Sequence, residues 1–245
     1  MEWHRSQGLR TGGGQDAAEG VVLFLHGGRA DGLGPPPRWN LPALRMRPFA
    51  RAVRTAAGGR DVATGIVRYR YRGWNGGRAD ALRDAEDALS EATRRFGPVP
   101  IVLVGHSMGG RAALRAAGRP CVRGVVALAP WCPPDDPVDQ LTSTSTVLVH
   151  ADEDRVTDPY GSLSLAARAR AAGAAVCRLV VHGGDHAMLR RAPDWHRTAT
   201  TLVTGLLGLT PLPSEVTGAL HRGPDATGLT GLAIPLPPGG LTPGP

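Results

Sequence analysis

Lysine is absent from this chain of 245 residues, so every one of its 28 Lys/Arg positions is arginine. That absence removes a Walker-type phosphate loop and any chemistry built on a Schiff-base lysine, pyridoxal phosphate included. Cysteine is scarce. Cys121, Cys132 and Cys177 make an odd count with no close pair, which suggests neither a disulfide framework nor a zinc knuckle. The expected compartment is a reducing cytoplasm. No run approaches the roughly 18 apolar residues of a membrane span. Met1 to Ser6 leads into no apolar segment, so no secretory signal is expected. Aromatic residues make up only 4% of the chain, and no nucleic-acid partner is expected.

What is present is apolar, small and basic. Hydrophobic residues reach 42% and the formal charge is +7. The length suffices for one sizeable α/β domain with a buried core. The bias to Arg, Ala, Gly and Pro resembles GC-rich codon usage more than selection for phosphate contacts. One region concentrates the charge: Arg29 to Arg72 holds ten arginines against Asp31 and Asp61. A solvated basic face is the simplest reading, and a field that favours anionic substrates is the alternative.

The hydrophobic pattern alternates strands with helices. Trp3 to Leu9 is a candidate edge strand within an N-terminal segment 1–17, and Thr11-Gly12-Gly13-Gly14 reads as flexible punctuation. Val21–Leu25, Val62–Tyr71, residues 100–105, Val122–Ala129, Thr146–His150 and Ala174–Val181 read as strands. The continuous apolar runs among them suit burial on both faces. Helices are expected over 42–57, Arg78–Phe96, 108–117, 161–172 and 194–207. The second is clearest, because Leu82, Ala85, Leu89, Ala92 and Phe96 form one stripe. The alternation implies right-handed crossovers and a parallel sheet. The domain is expected over 18–208. The Pro/Gly-rich tail 209–245 has weak periodicity and reads as disordered.

Ile101-Val102-Leu103-Val104 runs into Gly105-His106-Ser107-Met108-Gly109, and a helical pattern starts at once. That is the build of a nucleophile elbow: a strand, a strained turn that exposes one serine, and a helix. The glycines let strand and helix pass closely. The N–H of Met108 points to the same place as the hydroxyl. A bare G-x-S-x-G arises often by chance, so its context decides. His26-Gly27-Gly28-Arg29 follows the first apolar strand, His150-Ala151-Asp152-Glu153-Asp154-Arg155-Val156 follows a later one, and His182-Gly183-Gly184-Asp185-His186 follows the last.

Together these motifs resemble the α/β-hydrolase superfamily over about residues 18–208. The resemblance implies an α/β-hydrolase fold with a mostly parallel sheet of about six to seven strands and helices on both faces. It implies the order nucleophile, acid, base, each at the carboxyl end of a strand, which points to Ser107, Asp154 and His186. Asp152 is the fallback acid, and Asp158 suits the cap of the next helix. Of the other histidines, His182 reads as structural, His106 as turned away from the site, His26 as a brace of its loop and His150 as packing. Oxyanion donors are expected from Met108 and from Gly28 or Arg29, which the sequence leaves open. Arg70-Tyr71-Arg72-Gly73-Trp74-Asn75-Gly76 resembles the superfamily's D-x-R-G-x-G loop with Arg70 in place of the aspartate. Trp74 and Trp131 are substrate-pocket candidates.

From Pro130 to Ser145 there are only sixteen residues, too few for the cap of many lipases. Trp131 and Cys132 are thus expected over an open site. Dienelactone hydrolases share this size and lack of a lid, although their nucleophile is cysteine. The implied activity is hydrolysis of a small-molecule carboxylic ester, or thioester, through an acyl-enzyme. An acyltransferase, a peptidase or a non-catalytic binding protein on the same fold are the alternatives. No cofactor is expected, and no metal, since Asp152, Asp154, His182, Asp185 and His186 match no zinc spacing such as H-E-x-x-H. No membrane partner is expected.

Overall fold

The protein is described by a computed structural model that covers residues 1–5, 18–37, 39–224 and 228–244, with the side chain of Glu2 excepted. Eight strands form one sheet: β1 (Glu2–Arg5), β2 (Gly20–Leu25), β3 (Val62–Ile66), β4 (Ile101–His106), β5 (Val122–Leu128), β6 (Ser145–Ala151), β7 (Val176–Val181) and β8 (Ile234–Pro235). Their spatial order is β1-β3-β2-β4-β5-β6-β7-β8. Among the described strands only β1 is antiparallel to its neighbour, pairing Trp3 with Gly65. Residues 6–9 of the expected edge strand and the Thr11–Gly14 stretch lie outside the described residues.

Six helices cover the sheet: α1 (Leu41–Ala56), α2 (Asp80–Phe96), α3 (Met108–Arg115), α4 (Pro159–Ala171), α5 (Ala192–Leu206) and α6 (Ser214–Leu220). Alternate strand residues feed two cores. Leu23, Leu25, Leu103, Val125 and Leu148 meet α2, α3 and α4 on one face. Val22, Phe24, Val104, Val126, Val149 and Leu179 meet α1, α5 and α6 on the other. Burial on both faces is why these strands read as unbroken apolar runs. The stripe predicted on α2 is buried at Ala85, Leu89, Ala92 and Phe96, and Gly97 at φ 79° ends the helix before Pro98.

The structure departs from the sequence reading in three places. β3 stops at Ile66, short of Tyr71. Beyond it the chain leaves the sheet and pairs with the loop after β2, through Arg72 N–H to Gly34 O and Gly73 N–H to Gly32 O. Among the described residues there are eight strands where about six to seven were expected. The tail expected to be disordered folds as α6 and β8, burying Val216, Leu220, Leu232, Leu236 and Leu241. Its pattern is weak because side chains of the domain hold it by its carbonyls. Arg170 donates to Thr230 O, Arg178 to Leu232 O, Arg191 to Pro237 O and Thr201 to Leu241 O. Among the described residues no helix is long and apolar enough to cross a membrane.

Candidate active site

The carboxyl ends of β2, β4, β6 and β7 bring the candidate residues to one edge of the sheet. Ser107 lies between β4 and α3 at φ 56° and ψ −120°. An L residue held there stores about 1–3 kcal/mol of strain, and the surroundings must enforce it. They do so through Ser107 N–H, which donates to Leu128 O at 3.1 Å, and Ser107 O, which accepts from Arg111 N and Trp131 N at 3.1 Å each. Gly105 and Gly109 are required by close approach. A Cβ on the first would collide with the Gly109 carbonyl, and one on the second with the Leu25 carbonyl.

Asp154 is buried in the loop after β6. Its Oδ1 accepts from the N–H groups of Val156 and Thr157 at 2.8 and 2.9 Å. Its Oδ2 lies 2.8 Å from His186 Nδ1, 3.2 Å from His150 Nε2 and 2.9 Å from the Thr157 hydroxyl. Burial alone would raise the pKa of this carboxyl, but the bonds from His150, His186, Thr157 and Val156 outweigh it. The net effect holds Asp154 well below the ordinary carboxylate range. A carboxylate fixed in this way orders the imidazole, with the proton on His186 Nδ1 and the lone pair on Nε2.

The fallback acid has another partner. Asp152 bonds His182 Nδ1 at 2.8 Å and accepts from Gly183 N–H, with His182 62% exposed. The two carboxylates thus serve two histidines, Asp152 with His182 and Asp154 with His186. Among the described residues no group of three or more His, Cys, Asp or Glu side chains is arranged to hold a metal. Asp158 caps α4 by accepting from Tyr160 N–H.

His106 corrects the expectation that it turns away. Its buried ring lies 4.9 Å from that of His186, and its Nε2 donates to the His186 carbonyl at 2.9 Å. Burial lowers its pKa to about 3, so it stays neutral and supports the loop carrying His186. His150 is also more than packing, since it is fully buried against Asp154. The signal was available: His150 and Asp154 stand four residues apart in one motif. His26 braces its loop, donating through Nδ1 to Gly27 O at 2.7 Å and accepting from Asn40 at 3.2 Å.

The link from Ser107 Oγ to His186 Nε2 is not made in this structure, and neither atom has a partner among the described residues. Catalytic contacts of this kind commonly close only around substrate. The Met108 N–H at the start of α3 is without a partner among the described residues. So is the Gly28 N–H, whereas Arg29 N–H is taken by Arg72 O at 3.0 Å. A Cβ on Gly28 would collide with the Met108 side chain and come within 2.7 Å of Arg72 O, which packs this loop tightly against the residue after Ser107.

The tryptophans are placed differently from one another. Trp74 is buried and covers the core, while Trp131 is half-buried beside the elbow. The Arg111 guanidinium lies between them, 4.0 Å from the Trp74 ring and 4.4 Å from the Trp131 ring. Asp136 binds Arg111 through both oxygens, at 2.7 and 2.8 Å. Cys132 is buried, not poised over the site, and burial pushes its thiol up to about 12. Arg70, in the place of the usual aspartate, forms its own ion pair with Asp84 at 2.6 Å. The 130–145 segment holds a single helical turn, Asp139–Leu141, and no cap.

Two clefts open at the loops that carry His186 and Gly28. One, of about 420 Å³, is lined by His186, Ala187, Val156 and Arg190. The other, of about 320 Å³, runs along His26, Gly27 and Gly28 to Pro36, Trp39 and Leu41. Neither cleft is legible in the sequence, because its walls come from loops distant along the chain.

An eight-stranded, mostly parallel sheet with an elbow serine and no cap defines the α/β-hydrolase fold. The family model of the alpha/beta hydrolase family matches residues 22–205, and the chain belongs to that family. No curated protein sequence matches the chain. Among solved structures it is similar to Est1E from Butyrivibrio proteoclasticus, with a TM-score of 0.58 and 11% identity over 84% of this chain and 94% of that one. An alpha-beta serine hydrolase homologue from Coxiella burnetii gives 0.57 and 15% over 82% and 90%. XC6422 from Xanthomonas campestris, a serine hydrolase without lid, gives 0.52 and 16% over 84% and 86%. At these identities the likeness speaks for the fold.

Proposed function

We propose that this hydrolase cleaves carboxylic esters through Ser107, His186 and Asp154. The observation that carries the reading is the buried 2.8 Å contact of Asp154 with His186 Nδ1, which leaves Nε2 unbonded at the sheet edge that holds the strained serine. His186 Nε2 takes the Ser107 proton as Oγ attacks the carbonyl carbon. The oxyanion is met by the N–H groups of Met108 and Gly28, the second chosen over Arg29 because the Arg29 N–H is already bonded. His186 then gives its proton to the departing alcohol, leaving an acyl-enzyme. Water, deprotonated by His186, releases the acid and restores Ser107. A thioester would follow the same steps with a thiol as leaving group. Est1E has been solved with ferulic acid bound, and its name is consistent with ester chemistry on this scaffold. Three unpaired cysteines suit a reducing compartment, so the cytoplasm is the proposed location.

The test pairs fluorophosphonate labelling with p-nitrophenyl esters of rising chain length. The wild type labels and turns over the short esters, and Ser107→Ala does neither. A wild-type protein that neither labels nor hydrolyses any ester overturns the reading.

A further inference from the structure

We propose that the groove beside the Gly28 loop binds the acyl group of the ester, and that Arg29 and Arg72 at its rim select acyl groups ending in an anion. The inference rests on the ester-hydrolase reading above and adds to it where each half of the substrate lies and what charge it carries.

The assignment of sides follows from proton transfer. The leaving alcohol must receive its proton from His186, so it departs on the side that this ring bounds. That is the cleft formed with Ala187, Val156 and Arg190. The carbonyl oxygen must face the N–H of Gly28, so the acyl chain continues on the opposite side. There the groove begins with Gly27 and Gly28 as its wall, and a Cβ on Gly27 would lie 3.4 Å from Ser107 Cβ. Pro36, Pro37, Trp39 and Leu41 line the rest, with Trp39 81% and Leu41 67% exposed. Large apolar side chains left this open beside a reactive serine mark a surface that substrate covers. A volume of about 320 Å³ suits a compact acyl group.

The charge belongs to the same groove. Arg29 and Arg72 both line it, and neither forms an ion pair with a carboxylate among the described residues. The Arg72 side chain packs along the loop from Gly32 to Gly34 at the rim of the groove. The opposing charges are few. Asp61 is taken by Arg5, and Asp31 is the one acidic residue in the loop between Arg29 and Pro37. An apolar body with an anionic end complements such a groove, and the low local acid content leaves the arginines free to bind it.

The test compares kcat/KM for three esters: p-nitrophenyl butyrate, mono-p-nitrophenyl glutarate and 4-sulfophenyl butyrate. The first is neutral, the second carries its anion on the acyl end, and the third carries it on the leaving group. The wild type should favour glutarate over butyrate by about fivefold or more, and high salt should erase the preference. In Arg29→Gln/Arg72→Gln the glutarate-to-butyrate ratio should fall by about five- to tenfold, with no matching fall in the sulfophenyl-to-butyrate ratio. Retention of the glutarate preference in the double variant, or in high salt, overturns the anion assignment. A loss confined to the sulfophenyl ester overturns the assignment of sides. Turnover of butyrate with no preference for glutarate overturns this inference and leaves the hydrolase reading intact. A protein that takes no fluorophosphonate label and hydrolyses none of the three overturns both.

Discussion

Asp154 and Asp152 stand two positions apart and are chemically identical, yet the structure gives them different tasks. Asp154 is buried among five donors, and Asp152 sits half in solvent beside the exposed His182. Replacing Asp154 by Asn leaves the shape but loses the charge that orients and stabilises the imidazole. The expected fall in kcat is about 10³–10⁴-fold on p-nitrophenyl butyrate, while Asp152→Asn should stay within about threefold. A larger loss in the Asp152 variant would reverse the assignment. His106 gives a prediction about pH. Its folded pKa is lowered to about 3 from an ordinary value of 6.5, so between those values the unfolded chain binds the extra proton. The stabilisation is therefore complete above about pH 6.5 and is lost as pH falls toward 3, at up to about 1.4 kcal/mol per pH unit. His106→Gln keeps a donor for the His186 carbonyl but cannot titrate. Urea midpoints measured at pH 7 and pH 4.5 should therefore differ less in the variant than in the wild type.

Among the elements, the loop after β2 carries the most chemistry. Its path is set by the Arg68–Gly73 segment, which leaves the sheet to hydrogen-bond it at His26, Arg29, Gly32 and Gly34. Gly28 is confined between Met108 and Arg72, and a side chain there must push the loop away from the elbow. Gly28→Ala should therefore lower kcat on short p-nitrophenyl esters by about 10²–10³-fold with little change in KM, as expected for lost transition-state contacts. A rise in KM at constant kcat would instead mean that the loop only shapes the groove. The elbow itself was readable, because its turn is encoded by consecutive residues. The end of β3 was not. Val67 and Tyr69 are as apolar as the strand before them, and only their neighbours across the fold show that they serve a loop.

For the whole molecule the decisive feature is the C-terminal segment. It spans both faces of the sheet edge, with Leu232 in one core and Val216, Leu220, Leu236 and Leu241 in the other. Burying side chains of this size is worth about 1.5–3 kcal/mol each, so the group contributes roughly 10 kcal/mol, as much as the net stability of a typical domain. Truncation after Leu209 also strips Arg170 and Arg178 of carbonyls that their buried guanidinium groups bind. The truncated protein should lack a cooperative thermal transition. An unchanged Tm would restore the picture of a disordered tail.

Local spacing determined the order of the elements, the elbow around Ser107 and the short set of residues proposed as nucleophile, acid and base. Strand runs, caps and tight turns depend on residues a few positions apart, and those interactions are written in the chain itself. Tertiary structure decided which carboxylate meets which histidine, which N–H of the His26-Gly27-Gly28-Arg29 loop stays free, and where the described residues of the 209–245 tail lie. Each of these depends on how separate loops meet at the end of a sheet. A shift of one or two residues there exchanges partners without altering any pattern along the sequence.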